Sequence, residues 1–277
     1  MKKLFALLLL LALALTGCGG TAAENTNIVA ATTKPVAEFT AAIVNGTDVM
    51  PALLVTESVS CLHDYTLTVD QMKTLELADV VVMSGAGLED FMADTLKTKS
   101  TVIDASRDIP LADGDPHYWL DPTLASQMAA NIARELTALY PQHEAVFSQN
   151  LAALQASLRE LQAYGETALG ELSCRELITF HDGFHYFADA YDLTVLAAVE
   201  AEHGSEVAAR DLERIMELIK THDLPAICAE AYSPHATAEM IAGTTGTALC
   251  SLDMGLGDMG YFIAMKKNID NVKEAFS

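Results

Sequence analysis

The chain of 277 residues carries 38 aspartates and glutamates against 16 lysines and arginines, a formal net charge of −22, and 51% of its residues are hydrophobic. A protein this acidic is repelled by nucleic acid and by anionic lipid headgroups and is able to concentrate cations, although solubility alone accounts for the charge equally well. The length permits one large domain or two lobes of about 100–130 residues each.

The chain opens MKKLFALLLLLALALTGCGG: Lys2 and Lys3, then an apolar run of 12 residues at 4–15. A membrane span needs about 20 such residues, whereas a signal peptide needs no more than this. Leu15-Thr16-Gly17-Cys18 resembles a bacterial lipobox. Residues 1–17 therefore read as a lipoprotein signal peptide, Cys18 as the lipidated first residue of the mature chain, and 18–27 as a flexible tether. The expected location is extracytoplasmic, anchored by lipid to the cell membrane.

Four apolar runs follow, at 28–32, 50–55, 80–83 and 101–104, with helical patterns between them at 35–44, 68–78 and 88–96. In the second of these helices Val69, Met72, Leu75 and Leu77 are expected to supply an apolar face. Strands alternating with helices predict a parallel sheet with crossover helices. Residues 28–121 thus read as an N-terminal lobe.

From 122 to 172 no strand signal occurs. Leu124, Met128, Ile132 and Leu136 recur in steps of four, Pro141 interrupts by kinking the helix or starting a new one, and Leu151, Leu154, Leu158 and Leu161 recur at three and four. A helix over 142–169 would be roughly 40 Å long at about 1.5 Å per residue, a strut between two lobes.

Residues 173–277 repeat the first pattern, with apolar runs at 176–180, 193–199, 226–229 and 247–252 and helices at 208–222, 236–242 and 259–276. The fold class is therefore α/β: two lobes, each a roughly four-stranded parallel sheet with flanking helices, joined by a long linking helix.

The stretch 176–192, ELITFHDGFHYFADAYD, organises the site. A short buried strand ends at His181, Asp182 and Gly183 turn, and an amphipathic helix begins. Ligands in open α/β sheets bind at such carboxyl ends of strands. His63, His117 and Asp253 follow other apolar runs, so two candidates come from each half. Three imidazoles and one carboxylate facing each other across a cleft suit a tetrahedral Zn²⁺; more carboxylates would suit Mn²⁺. Asp64, Asp182 and Glu230 are candidates for orienting those imidazoles through their second nitrogen.

His185 shares the helical face of His181 and is either an accessory ligand or a partly exposed helix histidine. His203 is placed on the cleft rim. Of the remaining cysteines, Cys61, Cys174, Cys228 and Cys250, none forms a C-x-x-C pair. Cys228 and Cys250 fall in predicted strands, where they either pair or lie as buried free thiols.

Several motifs taken together resemble one family: Ile28-Val29-Ala30-Ala31-Thr32-Thr33-Lys34-Pro35; His63-Asp64-Tyr65-Thr66-Leu67-Thr68; Gly85-Ala86-Gly87-Leu88-Glu89; Asp115-Pro116-His117-Tyr118-Trp119-Leu120-Asp121-Pro122; Phe180-His181-Asp182-Gly183-Phe184; Ala229-Glu230; and Leu252-Asp253. From about residue 27 onward the chain is similar to the zinc/manganese solute-binding lipoproteins of bacterial ABC importers, the ZnuA/TroA-like metal-binding group. The resemblance implies a metal held between two lobes by His63, His117, His181 and Asp253. A histidine in the third place resembles the zinc-type members. The chain departs from many zinc members in having no His- and acid-rich loop between the first two ligands, where only Asp113 and Asp115 precede His117.

The expected function is that of a monomeric receptor, not an enzyme, that captures Zn²⁺ (or, as the alternative, Mn²⁺) as its cargo and delivers it to a membrane permease. A zinc-dependent hydrolase with Glu230 as general base is the lesser rival, since a closed four-ligand shell leaves no open position for substrate.

Overall fold

The computed structural model describes residues 27–57, 62, 65–112, 114–200, 207–233 and 235–277. The signal stretch, Cys18, Cys61, His63, Asp64, Asp113 and His203 lie outside the described residues.

Two four-stranded parallel sheets form the frame. The first has the order β2-β1-β3-β4, with β1 at Ile28–Ala31, β2 at Met50–Leu53, β3 at Val80–Met83 and β4 at Val102–Asp104. The second has the order β6-β5-β7-β8, with β5 at Glu176–His181, β6 at Thr194–Glu200, β7 at Ala226–Glu230 and β8 at Ala248–Leu252. The two sheets share one strand order. In each, the chain reverses direction across the sheet after its second strand, so the order switches between β1 and β3 and between β5 and β7, which opens a crevice at the carboxyl ends.

Crossover helices cover the faces: α1 (Lys34–Val44), α2 (Val69–Leu77) and α3 (Ala93–Leu96) in the first half, then α6 (His185–Ala190), α7 (Ala209–Thr221), α8 (Ala236–Thr245) and α9 (Tyr261–Phe276) in the second. The α2 start is fixed by a reciprocal capping box between Thr68 and Gln71. Its expected apolar face does not form: Leu75 is buried, but Val69, Met72 and Leu77 are exposed. Spacings of three and two spread those side chains around the helix, and only Leu75 points at the sheet. The helix expected at 88–96 divides into a 3₁₀ turn at Asp90–Met92 and the short α3.

The segment between the sheets holds two helices, α4 (Pro122–Leu139) and α5 (Glu144–Leu169), packed on each other. Pro141 opens a 3₁₀ turn at the reversal, because its ring and missing N–H cannot continue α4. The 26 residues of α5 span about 39 Å at about 1.5 Å per residue. Near its start Asn150 donates to the carbonyls of Ile43 and Asn45 beside the first sheet, both at 2.9 Å. Near its end Gly165 lies against the Tyr191 ring beside the second, where a Cβ would come within 2.2 Å. One hydrophobic core runs through both halves, from Val29 and Val82 through Met128, Leu158 and Phe187 to Leu252 and Phe276. Among the described residues no helix is long and apolar enough to cross a membrane.

Cys228 and Cys250 are free thiols on adjacent strands, in register with each other. The neighbouring Cys250 and burial push the Cys228 thiol well above its ordinary range.

Candidate metal centre

The carboxyl ends of the second sheet place polar side chains in a row. His181 is the last residue of β5 and pairs with Glu200 of β6. Glu230 ends β7 and pairs with Leu252 of β8, and Asp253 follows at once. Side chains alternate along a strand. Leu177 and Cys228 face the core shared by both halves, while Ile178, Phe180, Ile227 and Ala229 face the smaller core under α7 and α8. By that alternation His181 and Glu230 face the other lobe. Both are buried, at 3% and 2% exposure.

His117 comes from the first half, at the entry to a 3₁₀ turn, Tyr118–Leu120. It is 1% exposed. Its ring meets the His181 ring edge to face, centroids 5.2 Å apart and planes at 85°. Gly183 makes room for this pair: a Cβ there would lie 2.7 Å from His181 Cδ2, 2.8 Å from His117 Nδ1 and 2.7 Å from the Met254 methyl. Met254 is the neighbour of Asp253, so segments from both lobes converge at this point.

Asp115 sets the chemistry of His117. Its Oδ1 accepts from the His117 backbone N–H at 2.9 Å and lies 2.8 Å from the ring Nδ1. A carboxylate only accepts, so in the neutral imidazole Nδ1 carries the proton and Nε2 keeps its lone pair. That Nε2 is buried and has no hydrogen-bond partner among the described residues. The same is true of Asp115 Oδ2 and Asp253 Oδ2. A buried acceptor left in that state costs about 1–3 kcal/mol. A lone pair and a carboxylate oxygen left in that state are each a donor that a cation could satisfy.

Asp253 is held from behind. Its backbone N–H donates to Asn268 Oδ1 and its carbonyl accepts from Asn268 Nδ2, both at 2.7 Å. Oδ1 accepts from Gly255 N–H at 2.8 Å, which leaves Oδ2 as the oxygen to offer. Burial raises its pKa, opposed by the amides of Gly255 and Gly257, the Tyr232 hydroxyl and Lys267. A nearby cation would restore the charged form.

The sequence-predicted residues divide accordingly. His117 and His181 are brought together, and Asp253 stands on the loop whose next residue, Met254, borders the same Gly183 space. His63, and Asp64 beside it, are outside the described residues. Among the described residues no three His, Cys, Asp or Glu side chains form a group able to hold a metal ion, so the pair His117–His181 is the part of the set that the geometry joins directly. Asp182 has a side-chain partner on the next helix. Its Oδ1 lies 2.7 Å from His185 Nε2 in a pair whose side chains are 47% and 45% exposed. Glu230 Oε2 accepts from the Ser233 hydroxyl at 2.5 Å, and its carbonyl lies 2.8 Å from His235 Nε2. Asp115 was the residue missed as an orienting carboxylate. The signal was present in Asp-Pro-His, where an Asp two positions ahead bonds the backbone in an Asx turn.

Residues 29–275 match the family of zinc-uptake complex component A, periplasmic, ZnuA. The zinc-binding protein TroA of Treponema pallidum is 31% identical over 192 residues, covering 65% of this chain and 62% of TroA. The manganese-binding lipoprotein MntA of Bacillus subtilis is 29% identical over 248 residues, 83% of this chain and 80% of MntA. Among solved structures, a crystal structure of ZnuA superposes with a TM-score of 0.81 at 26% identity, covering 90% of this chain and 99% of that one.

Proposed function

The chain belongs to the ZnuA family of periplasmic zinc-uptake components, whose members are metal-binding receptors and not enzymes, and from that premise we propose that it captures Zn²⁺ between its two lobes. In this reading His63, His117, His181 and Asp253 are the ligands, residues 28–121 and 173–277 are the two jaws, and 122–172 joins them. The loaded monomer hands its cargo to an ABC permease while Cys18 tethers it to the membrane by lipid.

One observation carries the reading. The His117 imidazole has one nitrogen committed to Asp115 and the other buried without a partner among the described residues, beside a second buried imidazole. Ligating histidines have this arrangement: a carboxylate on the far nitrogen fixes the tautomer and raises the basicity of the near one. The charge of −22 supports cation capture from a distance.

Manganese is the second reading, because one relative is a manganese-binding lipoprotein. The donor set favours zinc: three imidazoles and one carboxylate make a nitrogen-rich, four-coordinate shell, whereas Mn²⁺ prefers more oxygen ligands. Metal-free protein offered equal Zn²⁺ and Mn²⁺, then desalted and analysed for bound metal, decides between them. The account expects about one equivalent of zinc per chain and little manganese, with His117→Ala and His181→Ala each losing most of the bound zinc. Manganese retained in preference to zinc would overturn the zinc assignment.

A further inference from the structure

The loop that carries Asp253 runs to Gly260 and leads into α9. Its first residue is pinned inside its own lobe by Asn268. Its far end is fastened to the other lobe. Helix α9 begins without a cap of its own: the N-cap is Gly260, at φ +80°, and no side chain there can satisfy the first-turn amides. The missing acceptor comes from α1. Both carboxylate oxygens of Glu38 accept the Tyr261 N–H, at 3.0 and 2.9 Å. An anion at the first turn of a helix also meets the positive end of its dipole.

One turn before Glu38, Lys34 reaches the same loop. Its Nζ lies 2.7 Å from Asp258 Oδ1; the lysine is 9% exposed and the aspartate 83%. Pairs with one partner so open to water are individually weak and screened by salt. Here the pair acts with the Glu38 cap on a loop of eight residues, 253–260. Glycines at 255, 257 and 260 leave that loop little stiffness of its own. The adjoining aromatics complete the contact. Phe39 meets the Tyr261 ring edge to face at 5.0 Å, and the Tyr261 hydroxyl donates to the Trp119 carbonyl at 2.7 Å. The loop is therefore anchored to its own lobe at one end and to the opposite lobe at the other.

We infer that Glu38 and Lys34 form an inter-lobe latch: they position the Asp253 loop over the cleft and set how long a bound divalent cation stays. The inference rests on the reading of the cleft as a metal site. Neither residue touches the ion. Both act through the loop, Glu38 by capping α9 and Lys34 by holding Asp258. Opening the latch frees the far end of the loop, residues 258–260, while Asn268 and Trp119 still hold Asp253 and Met254 at its root, so the cover over the cleft loosens without unfolding of the lobe.

The test uses the full-length mature protein as wild type, Glu38→Gln, Lys34→Met, Lys34→Arg and Asp258→Asn. Zinc is loaded, and its release into excess chelator is followed by stopped flow. Glu38→Gln and Lys34→Met are expected to release zinc about tenfold faster or more, with association little changed. Lys34→Arg should restore the wild-type rate, and added salt should speed release from wild type more than from Lys34→Met. Unchanged release from folded Lys34→Met and Asp258→Asn overturns the latch, and Asp258→Asn, on an exposed side chain, keeps the test decisive if Glu38→Gln fails to fold. Amide hydrogen exchange over 253–262 in the metal-free protein separates the two ideas. Faster exchange in Lys34→Met and Asp258→Asn supports the latch even if wild type binds no zinc, which would sink the metal reading alone. Equal exchange in wild type and both variants removes the latch whatever the metal does.

Discussion

The indole N–H of Trp119 donates to the carbonyl oxygen of Met254 at 2.7 Å. Both groups are buried, and the bond ties the segment of His117 to the segment of Asp253 across the two lobes. Trp119→Phe keeps an aromatic ring, leaves a void where the rest of the indole was, and leaves the carbonyl without its donor. The expected cost is about 1–3 kcal/mol of stability, together with weaker zinc binding, because the two segments lose a shared anchor. Denaturant unfolding and a chelator-competition titration of the same variant measure both. A loss of stability with unchanged affinity would confine Trp119 to a structural role.

Asp115 is expected to govern affinity without touching the ion. In Asp115→Asn the side-chain amide can donate to His117 Nδ1, which moves the ring proton to Nε2 and blocks the lone pair. Affinity should fall by about 10–100-fold with the fold retained. Competition titration with circular dichroism checks this, and an unperturbed affinity would show that Asp115 does not set the tautomer.

Gly183 is tested by the smallest change available. A methyl group there would lie within 2.8 Å of His117, His181 and Met254 atoms, closer than carbon and nitrogen atoms tolerate. Gly183→Ala should displace one of the rings and lower zinc affinity by about tenfold or more, with a smaller effect on thermal stability. A crystal structure of the variant with both rings unmoved and zinc bound normally would refute the crowding argument.

Stability of the metal-free protein should fall as pH rises toward neutrality. Glu89 is fully buried and accepts from the Thr32 hydroxyl at 2.6 Å and from the Ser84 and Gly85 amides at 2.7 and 2.9 Å. Burial outweighs these bonds and pushes its pKa up to about 7. A carboxyl group raised in the folded state holds a proton that the unfolded chain has released. Its contribution is complete below about pH 4.5 and is lost as pH climbs through about 7, with a slope approaching 1.4 kcal/mol per unit at most. Burial raises Glu38 in the same direction. Zinc affinity runs the other way, since the imidazoles must be neutral to bind. Unfolding midpoints of metal-free wild type and Glu89→Gln between pH 5 and 8 test this. The variant should lack most of the slope, and equal slopes would place the carboxyl's titration elsewhere.

The frame was legible because its signals are local. Val80–Met83 and residues 226–229 are short apolar runs of strand length, and Pro141 marked the reversal between α4 and α5. Strand ends likewise announced His181 and Asp253, since polar residues directly after such runs stand at the sheet's carboxyl edge. The apolar face assigned to α2 failed because periodicity reports spacing and not which side the sheet lies on. The contacts that define the cleft join distant segments, Glu38 to Tyr261 and Trp119 to Met254, and no local pattern encodes a partner more than a hundred residues away. Asp115 lay between these cases, two residues from its histidine and readable as a turn, but its bond to the ring needed coordinates.

The most direct measurement is anomalous diffraction at the zinc edge from crystals of the zinc-loaded protein. The account predicts a single strong peak in the cleft, about 2.0–2.2 Å from His117 Nε2, Asp253 Oδ2 and one nitrogen each of His63 and His181. A peak on the exposed His185–Asp182 pair, or a cleft with those side chains around no metal at all, would contradict it.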